Sequence, residues 1–339
     1  MRVLFAAAAA ALIVVSATAQ TPSSIRFEPV QQEPVIRHSD DRQAWDGTFT
    51  DPGAVLYHDG RFHLFRNGFR SWPGVVAIEH LVSEDGESWT AAPAGPIITS
   101  SDVPYSEVAA LASGVLVDDD GTWVLYFYTW EAFSGIASGR IGRATAPDPE
   151  GPWTIDPQPV LNPGPQGSWD ETRVIAPRVF RTDEGYVMYY TGVNLQRTGW
   201  MSIGRATSED GIAWTKHDNP ATTQAPFSES DPVFSAAEDD LQVHQASVFP
   251  TETGFVMFYR MFPVGGGDSR MTIHGAISTD GIAWDSLQDD PLWDRDTIGA
   301  GTSGFWWTAA AVKNGTYYLF VEEGSMAGTQ IYMGTLRLN

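Results

Sequence analysis

The chain has 339 residues, 42% of them apolar, which is enough for a large core in one or two domains. Its 20 lysines and arginines stand against 42 acidic residues, and the resulting net charge of −22 disfavours nucleic acid and anionic membranes as partners. Because the chain contains no cysteine, disulfides and thiol chemistry are excluded.

The first 19 residues have the pattern of an export signal. Arg2 is followed by an apolar run over residues 3–15, and the small residues Ala17-Thr18-Ala19 form a cleavage site. The apolar run is shorter than the roughly 20 residues that a membrane-spanning helix needs. We therefore expect a secreted or periplasmic protein whose mature chain, residues 20–339, forms one domain.

A repeat of roughly 65 residues dominates the rest of the sequence. The pattern Ser-x-Asp-Gly-x-x-Trp occupies residues 83–89, 208–214 and 278–284, and a degenerate copy ends at Trp153. Asp-Gly favours a hairpin turn because glycine supplies the positive φ that the turn needs. The tryptophan then opens the next strand and offers a large apolar body to a neighbouring unit.

A second element of the repeat is a run of aromatic and aliphatic residues that follows a glycine-containing turn. It occurs five times, at residues 61–65, 122–126, 186–190, 255–259 and 317–320. Each unit is therefore predicted to contain four strands, and no sustained helical period appears after the signal. Four-stranded units repeated around a ring predict an all-β fold, the five-bladed β-propeller. The fifth unit lacks its outer strand, and we expect residues 25–36 to supply it and close the ring.

The strands nearest the axis of such a ring line a central channel, and the loops that enter them gather at one face. The predicted entrances are residues 50–52, 111–113, 175–177, 245–247 and 307–309. Asp51 is the most informative of these residues because Pro52 fixes the backbone after it and disfavours a helical conformation. The pattern favours an Asp51 that points into the channel mouth, and the alternative is an aspartate that caps the turn at Pro52 and Gly53.

Asp51-Pro52-Gly53, the five hairpins and the Ser-x-Asp-Gly turns together resemble the five-bladed glycosidase superfamily, which includes glycoside hydrolase families 32, 43, 62, 68, 117 and 130. The resemblance implies an exported glycoside hydrolase that acts on an oligo- or polysaccharide, with Asp51 as general base or nucleophile. The pattern departs from family 43 at two places. Ala176 stands where a second aspartate is expected, and His244 and Gln245 stand near the position of the general-acid glutamate.

This incomplete set of acids leaves alternatives open. Glu171 and His244 are the candidates for the general acid, with a solvated loop residue and a packed or hydroxyl-binding histidine as the competing interpretations, and Glu107 is a third candidate. The residues predicted to contact substrate are Glu107, Arg173, Gln245, Trp306 and Trp307. Arg173 suits an acidic sugar and the tryptophans suit sugar faces, although surface ion pairing and blade packing explain the same residue types.

Three functional classes remain for the chain. A glycosidase similar to family 43 is the main hypothesis, and a non-catalytic carbohydrate-binding propeller is the alternative; a protein-binding propeller would need no carboxylates in the channel. A phosphorylase similar to family 130 is a further enzymatic variant, although no basic cluster for phosphate is evident in the sequence.

We expect a carbohydrate partner and no cofactor, since zinc-ligand spacing and EF-hand loops are absent; calcium in the channel is an open alternative. The oligomeric state stays open.

Overall fold

The computed structural model describes residues 24–131, 138–195, 200–238, 240–264, 271–298 and 304–338. The predicted export signal and its cleavage site lie outside these ranges. Within them the chain forms 23 β-strands and one short 3-10 turn at Ser100–Asp102, with no α-helix. Accordingly, no helix in the described part of the chain could span a membrane.

The strands are numbered along the chain. In chain order they are β1 (Glu28–Pro29), β2 (Ile36–Arg37), β3 (Phe49–His58), β4 (Arg61–Phe69), β5 (Val76–Ser83), β6 (Thr90–Ala91), β7 (Ile98–Thr99), β8 (Ala109–Val117), β9 (Trp123–Trp130), β10 (Ile141–Ala146), β11 (Thr154–Ile155), β12 (Arg173–Thr182), β13 (Gly185–Asn194), β14 (Trp200–Ser208), β15 (Thr215–Lys216), β16 (Pro232–Phe234), β17 (Leu241–Thr251), β18 (Gly254–Pro263), β19 (Thr272–Ser278), β20 (Asp285–Ser286), β21 (Gly304–Lys313), β22 (Thr316–Ser325) and β23 (Gly328–Leu336).

These strands form five antiparallel sheets, which are the five blades of a propeller. From the innermost to the outermost strand, the blades are β3-β4-β5-β6, β8-β9-β10-β11, β12-β13-β14-β15, β17-β18-β19-β20 and β21-β22-β23-β1. The short strands β7, β16 and β2 extend the outer edges of blades 1, 3 and 5. The predicted all-β, five-bladed fold with four-stranded blades is confirmed.

The N-terminal segment closes the ring, as predicted. Glu28 pairs with Thr335 and Ile36 pairs with Ile331, so β1 and β2 both bond the outer edge of β23. Phe27 is only 1% exposed and packs edge-on against Phe258 of blade 4, with 5.1 Å between the ring centroids. The segment therefore covers a sheet edge that would otherwise be open to pairing with another chain.

The Ser-x-Asp-Gly turns hold the outer parts of the blades together. In the first copy, the amide of Gly86 donates to the Ser83 hydroxyl at 2.8 Å, and Asp85 Oδ1 accepts the amides of Glu87 and Ser88 at 2.8 and 2.9 Å. Each turn tryptophan then packs against an aromatic residue of the preceding blade. These contacts, as ring-centroid distances, are Trp89–Phe320 at 5.7 Å, Trp153–Phe65 at 5.6 Å, Trp214–Tyr126 at 6.1 Å and Trp284–Tyr189 at 5.8 Å.

Every inner strand is interrupted by a β-bulge at the same level of the channel. The pairing register shifts between Asp51 and Ala54, Ala112 and Gly114, Ile175 and Arg178, His244 and Ser247, and Phe305 and Thr308. A bulge turns side chains away from the regular alternation and re-aims them. Because every blade begins with its inner strand, the five bulges meet at one mouth of the channel.

Candidate active site

Asp51 lies in the bulge of β3 and is only 1% exposed. Its Oδ1 accepts the backbone amide of Gly53 at 2.8 Å and the side-chain amide of Asn67 at 2.7 Å. Its Oδ2 is buried and has no hydrogen-bond partner among the described residues. Burial raises the pKa of Asp51 from 3.8 to about 7, against the opposing effect of these two hydrogen bonds and of the Arg260 charge. Asp51 can therefore exchange a proton near neutral pH.

Glu322 on β22 is the second buried carboxyl group at this mouth, with an exposed fraction of 2%. Its Oε2 accepts the backbone amide of Trp307 at 3.3 Å, and the Thr329 side chain is a further hydrogen-bond partner. Burial raises the pKa of Glu322 well above its usual value, and the negative charge of Asp51 raises it further. Ionisation of Asp51 therefore strengthens the binding of a proton by Glu322.

An aromatic and basic shell surrounds the pair. Trp307 stacks on Tyr128 with 5.4 Å between ring centroids, lies 5.0 Å from the His244 ring, and has the Arg260 guanidinium 5.5 Å from its centroid. Arg173 packs 4.2 Å above the ring of Trp130. The Tyr128 hydroxyl, His244 Nδ1 and Arg173 Nε are buried without hydrogen-bond partners among the described residues. Several buried polar atoms near Asp51 can thus form hydrogen bonds with a ligand or with water.

The electrostatics of this shell restrict the role of His244. Burial lowers its pKa well below the usual value, and the positive charges of Arg260 and Arg173 lower it further. His244 is therefore neutral at physiological pH, which favours hydrogen bonding to a ligand over proton donation. Because both arginines act on the pKa of His244, the three side chains lie close together. Arg173, His244 and Arg260 thus form a basic cluster between blades 3 and 4, which was not evident in the sequence.

A cavity of about 80 Å³ opens at this mouth of the channel. Aromatic and aliphatic side chains form its walls, and Glu322 contributes a carboxyl group to its lining. The lining residues are Phe49, Phe69, Trp72, Leu111, Trp306, Trp307, Glu322, Met326 and Thr329. Aromatic walls beside a few polar groups suit the face of a sugar ring.

The other predicted site residues lie at different depths. Gln245 is buried and bridges blades 4 and 5, because its Nε2 donates to the Thr308 carbonyl at 2.6 Å and its Oε1 accepts the Thr308 amide at 2.9 Å. Glu171 is half-buried in the loop before β12, where its carboxylate accepts the amide of Gly167. Glu107 is exposed before β8. Neither Glu171 nor Glu107 is among the groups that shift the pKa of Asp51 or Glu322.

The structure thus brings together Asp51, His244, Arg173 and Trp307, with Trp306 at the rim. Sequence reasoning missed Glu322, Tyr128 and Arg260, which lie on second strands of their blades. A signal for all three existed, because each lies within two residues of the end of an aromatic run of the repeat. In the described part of the chain, no cluster of three or more histidine, aspartate or glutamate side chains could hold a metal ion. The role of calcium therefore stays an untested alternative.

Five antiparallel blades and a buried carboxyl pair at an aromatic mouth of the channel define the class as a five-bladed propeller glycosidase. The chain belongs to glycoside hydrolase family 130: the family described as beta-1,4-mannooligosaccharide phosphorylase matches over residues 97–333. No curated protein sequence matches the chain. The predicted resemblance to the propeller glycosidases is confirmed.

Solved structures support the fold. A glycosyl hydrolase from Bacteroides ovatus superposes with a TM-score of 0.67 at 16% identity, covering 93% of this chain and 94% of the other. A thermostable family-43 glycoside hydrolase gives 0.62 at 13% identity, with 93% of each chain covered. A family 117 glycoside hydrolase from the marine bacterium Zobellia galactanivorans gives 0.60 at 16% identity, with 91% and 88% covered. At these identities the likeness concerns the fold alone.

Proposed function

We propose that the chain is an exported enzyme that cleaves a glycosidic bond at the mouth of the channel, with Asp51 and Glu322 as its acid–base pair. The observation that carries the proposal is the buried, unpartnered Oδ2 of Asp51 next to a second carboxyl group of raised pKa. Unpaired buried charges cost free energy, and their retention at one site favours a catalytic use.

The two carboxyl groups suit different roles. Glycoside hydrolysis needs one group that protonates the leaving oxygen and one that activates water or attacks the sugar. The pKa of Asp51, about 7, leaves part of its population ionised at neutral pH, so that it can accept a proton. Glu322 holds its proton more tightly than an ordinary glutamate, because burial and the charge of Asp51 raise its pKa, and it lines the cavity, so that it can donate a proton. We therefore assign Asp51 as the base or nucleophile and Glu322, in place of Glu171 or His244, as the acid.

Phosphorolysis is the second candidate, and the basic cluster favours it. Arg173, His244 and Arg260 lie close enough that both arginines depress the pKa of the histidine. Guanidinium groups bind phosphate oxygens in a bidentate manner, and an inorganic phosphate held beside Asp51 would replace water as the nucleophile. The family description as a phosphorylase agrees with this candidate.

The test is sugar release by the mature chain, residues 20–339, from aryl glycosides, mannooligosaccharides, and plant and algal polysaccharides, with and without inorganic phosphate. Free sugar without phosphate indicates hydrolysis, and a phosphate-dependent sugar phosphate indicates phosphorolysis. We expect Asp51→Asn and Glu322→Gln to lower kcat by about 10²- to 10⁴-fold, the usual contribution of general acid–base groups. Binding without turnover would instead support the carbohydrate-binding alternative.

A matched control is available next to Glu322. Glu323 is equally buried, but its Oε1 accepts the indole N–H of Trp293 at 2.9 Å, which gives it a packing role. Glu323→Gln keeps an acceptor for that bond and should retain turnover. Unchanged turnover in Asp51→Asn would contradict the catalytic role of Asp51. Export is tested separately, by N-terminal sequencing of the secreted protein, where a start at Gln20 is expected.

A further inference from the structure

The end of the channel opposite Asp51 holds a second cavity, of about 270 Å³. The later halves of all five inner strands, β3, β8, β12, β17 and β21, line it. Most of these side chains are valine, leucine, alanine or phenylalanine, so the cavity offers few hydrogen-bond donors. The cavity is thus separate from the carboxyl pair, which lies at the level of the bulges near the start of the inner strands.

Arg178 from blade 3 extends across the channel at this end and is 9% exposed. Its guanidinium donates to the carbonyl of Ala310 in blade 5 at 2.9 Å and to that of Val55 in blade 1 at 3.4 Å. It also packs 5.2 Å from the ring centroid of Phe249 in blade 4. One side chain thus joins four blades around the axis.

The charge of Arg178 has no counter-charge in the described part of the chain. Among the described residues its polar partners are two neutral carbonyls, and burial is the cause that lowers its pKa, to about 10. At that value the side chain still carries its charge at neutral pH. A buried charge without a partner is strongly unfavourable, and carbonyl dipoles compensate it only in part.

Arg181, at the rim of the same cavity, shows the contrast. Its guanidinium forms ion pairs with Asp118 and Asp119, both at 2.9 Å. The protein therefore neutralises the arginine that faces solvent and leaves the buried one without a carboxylate. This arrangement favours a counter-ion that arrives from solution.

We propose that the cavity beneath Arg178 binds a small monovalent anion, with chloride as the occupant. Guanidinium is weakly hydrated and pairs well with an anion of similar character. Phosphate or sulfate would need several further donors, which an apolar wall cannot supply. The bound anion would complete the charge balance at the axis of the ring and stabilise it without touching the Asp51 mouth.

The experiment compares sodium chloride, sodium bromide and sodium sulfate with sodium gluconate, at one ionic strength so that general screening of the −22 charge stays constant. We expect a saturable rise in Tm of a few degrees with either halide. Bromide-soaked crystals should show an anomalous peak beside the Arg178 guanidinium. An equal rise with sulfate would contradict the assignment to a monovalent anion.

Two variants complete the test. Arg178→Met should lose the dependence on halide, whereas Arg181→Met should keep it. If Arg178→Met does not fold, the bromide experiment on the unaltered protein decides alone. The proposal is overturned if no bromide lies at Arg178, or if Arg178→Met keeps the same halide dependence.

Discussion

Replacing Asp51 by asparagine should stabilise the protein at neutral and alkaline pH. The pKa of Asp51 is about 7 in the folded chain and 3.8 as the reference value, so the native state holds a proton that the unfolded state has lost between these pH values. The free energy of unfolding therefore falls as pH rises through this window, at about 1.4 kcal/mol per pH unit. Over the full window this amounts to about 4 kcal/mol.

Asparagine removes this penalty and keeps the local bonds. Its side-chain oxygen can accept the amides of Gly53 and Asn67 as Asp51 Oδ1 does, and its NH₂ group takes the place of the unpartnered Oδ2. We expect Asp51→Asn to unfold at higher urea concentration than the unaltered protein at pH 8, with the difference shrinking toward pH 4. The same variant should be catalytically impaired, which is the usual opposition between stability and activity at a site.

Asp170 supplies the matched control for this measurement. It is fully buried in blade 3, but Lys216 Nζ lies 2.6 Å from its Oδ2. Asp170→Asn leaves that ammonium without its partner and should cost about 3–5 kcal/mol. If Asp51→Asn is no more stable than the unaltered protein at pH 8, or if its advantage does not depend on pH, the account of Asp51 as a buried, destabilising charge is refuted.

Further predictions concern the turns, the bulge and the ring closure. Asp210→Ala removes the acceptor of two turn amides and should cost about 1 kcal/mol in urea unfolding. Because these bonds lower the pKa of Asp210, their contribution to stability should be lost as pH falls through that lowered pKa. Gly53→Ala should cost more than about 2 kcal/mol and reduce turnover, since φ is +52° and a Cβ would lie 2.1 Å from the Phe65 carbonyl oxygen. Gly60→Ala, at φ +84° with no atom within 4 Å, should cost only about 1 kcal/mol in the same assay. Phe27→Ala should lower stability by about 3–5 kcal/mol and promote association of open rings in light scattering; an unchanged Tm would argue against ring closure by this segment.

The fold was predictable because its signals are local. Each Asp-Gly or similar turn fixes a hairpin, each aromatic run fixes a second strand, and the tryptophan after the turn marks the outer strand. The missing strand of the fifth unit then required an N-terminal segment at the closure. The Asp51 position was also local, since Pro52 and Gly53 shape the bulge around it.

The rest of the site depends on contacts between blades, which no local pattern encodes. Glu322 joins Asp51 only because blade 5 closes against blade 1, where Thr329 bonds the amide of Thr50 at 3.1 Å. Gln245 was interpreted as a substrate ligand, and that prediction is untested. Its hydrogen bonds to Thr308 nevertheless give it a structural role. Each bulge shifts the strand pairing by a residue or two and so changes the direction in which the side chains point. The sequence pattern does not predict this shift.

Two residues of the inner strands have a strained backbone at the mouth of the channel that holds Asp51. Ala176 and Gln245 have φ values of 53° and 54°, a left-handed conformation that costs about 1–2 kcal/mol for a residue with a Cβ. A hydrogen bond between blades holds this conformation at Gln245, because its backbone amide donates to Thr191 Oγ1 at 2.9 Å. Strained residues next to the buried Asp51 and Glu322 persist only where the surrounding ring is rigid enough to impose them, and such residues cluster at functional sites. The opposite mouth has regular strands and one buried arginine, so the strained residues support the proposed placement of catalysis at the bulged end.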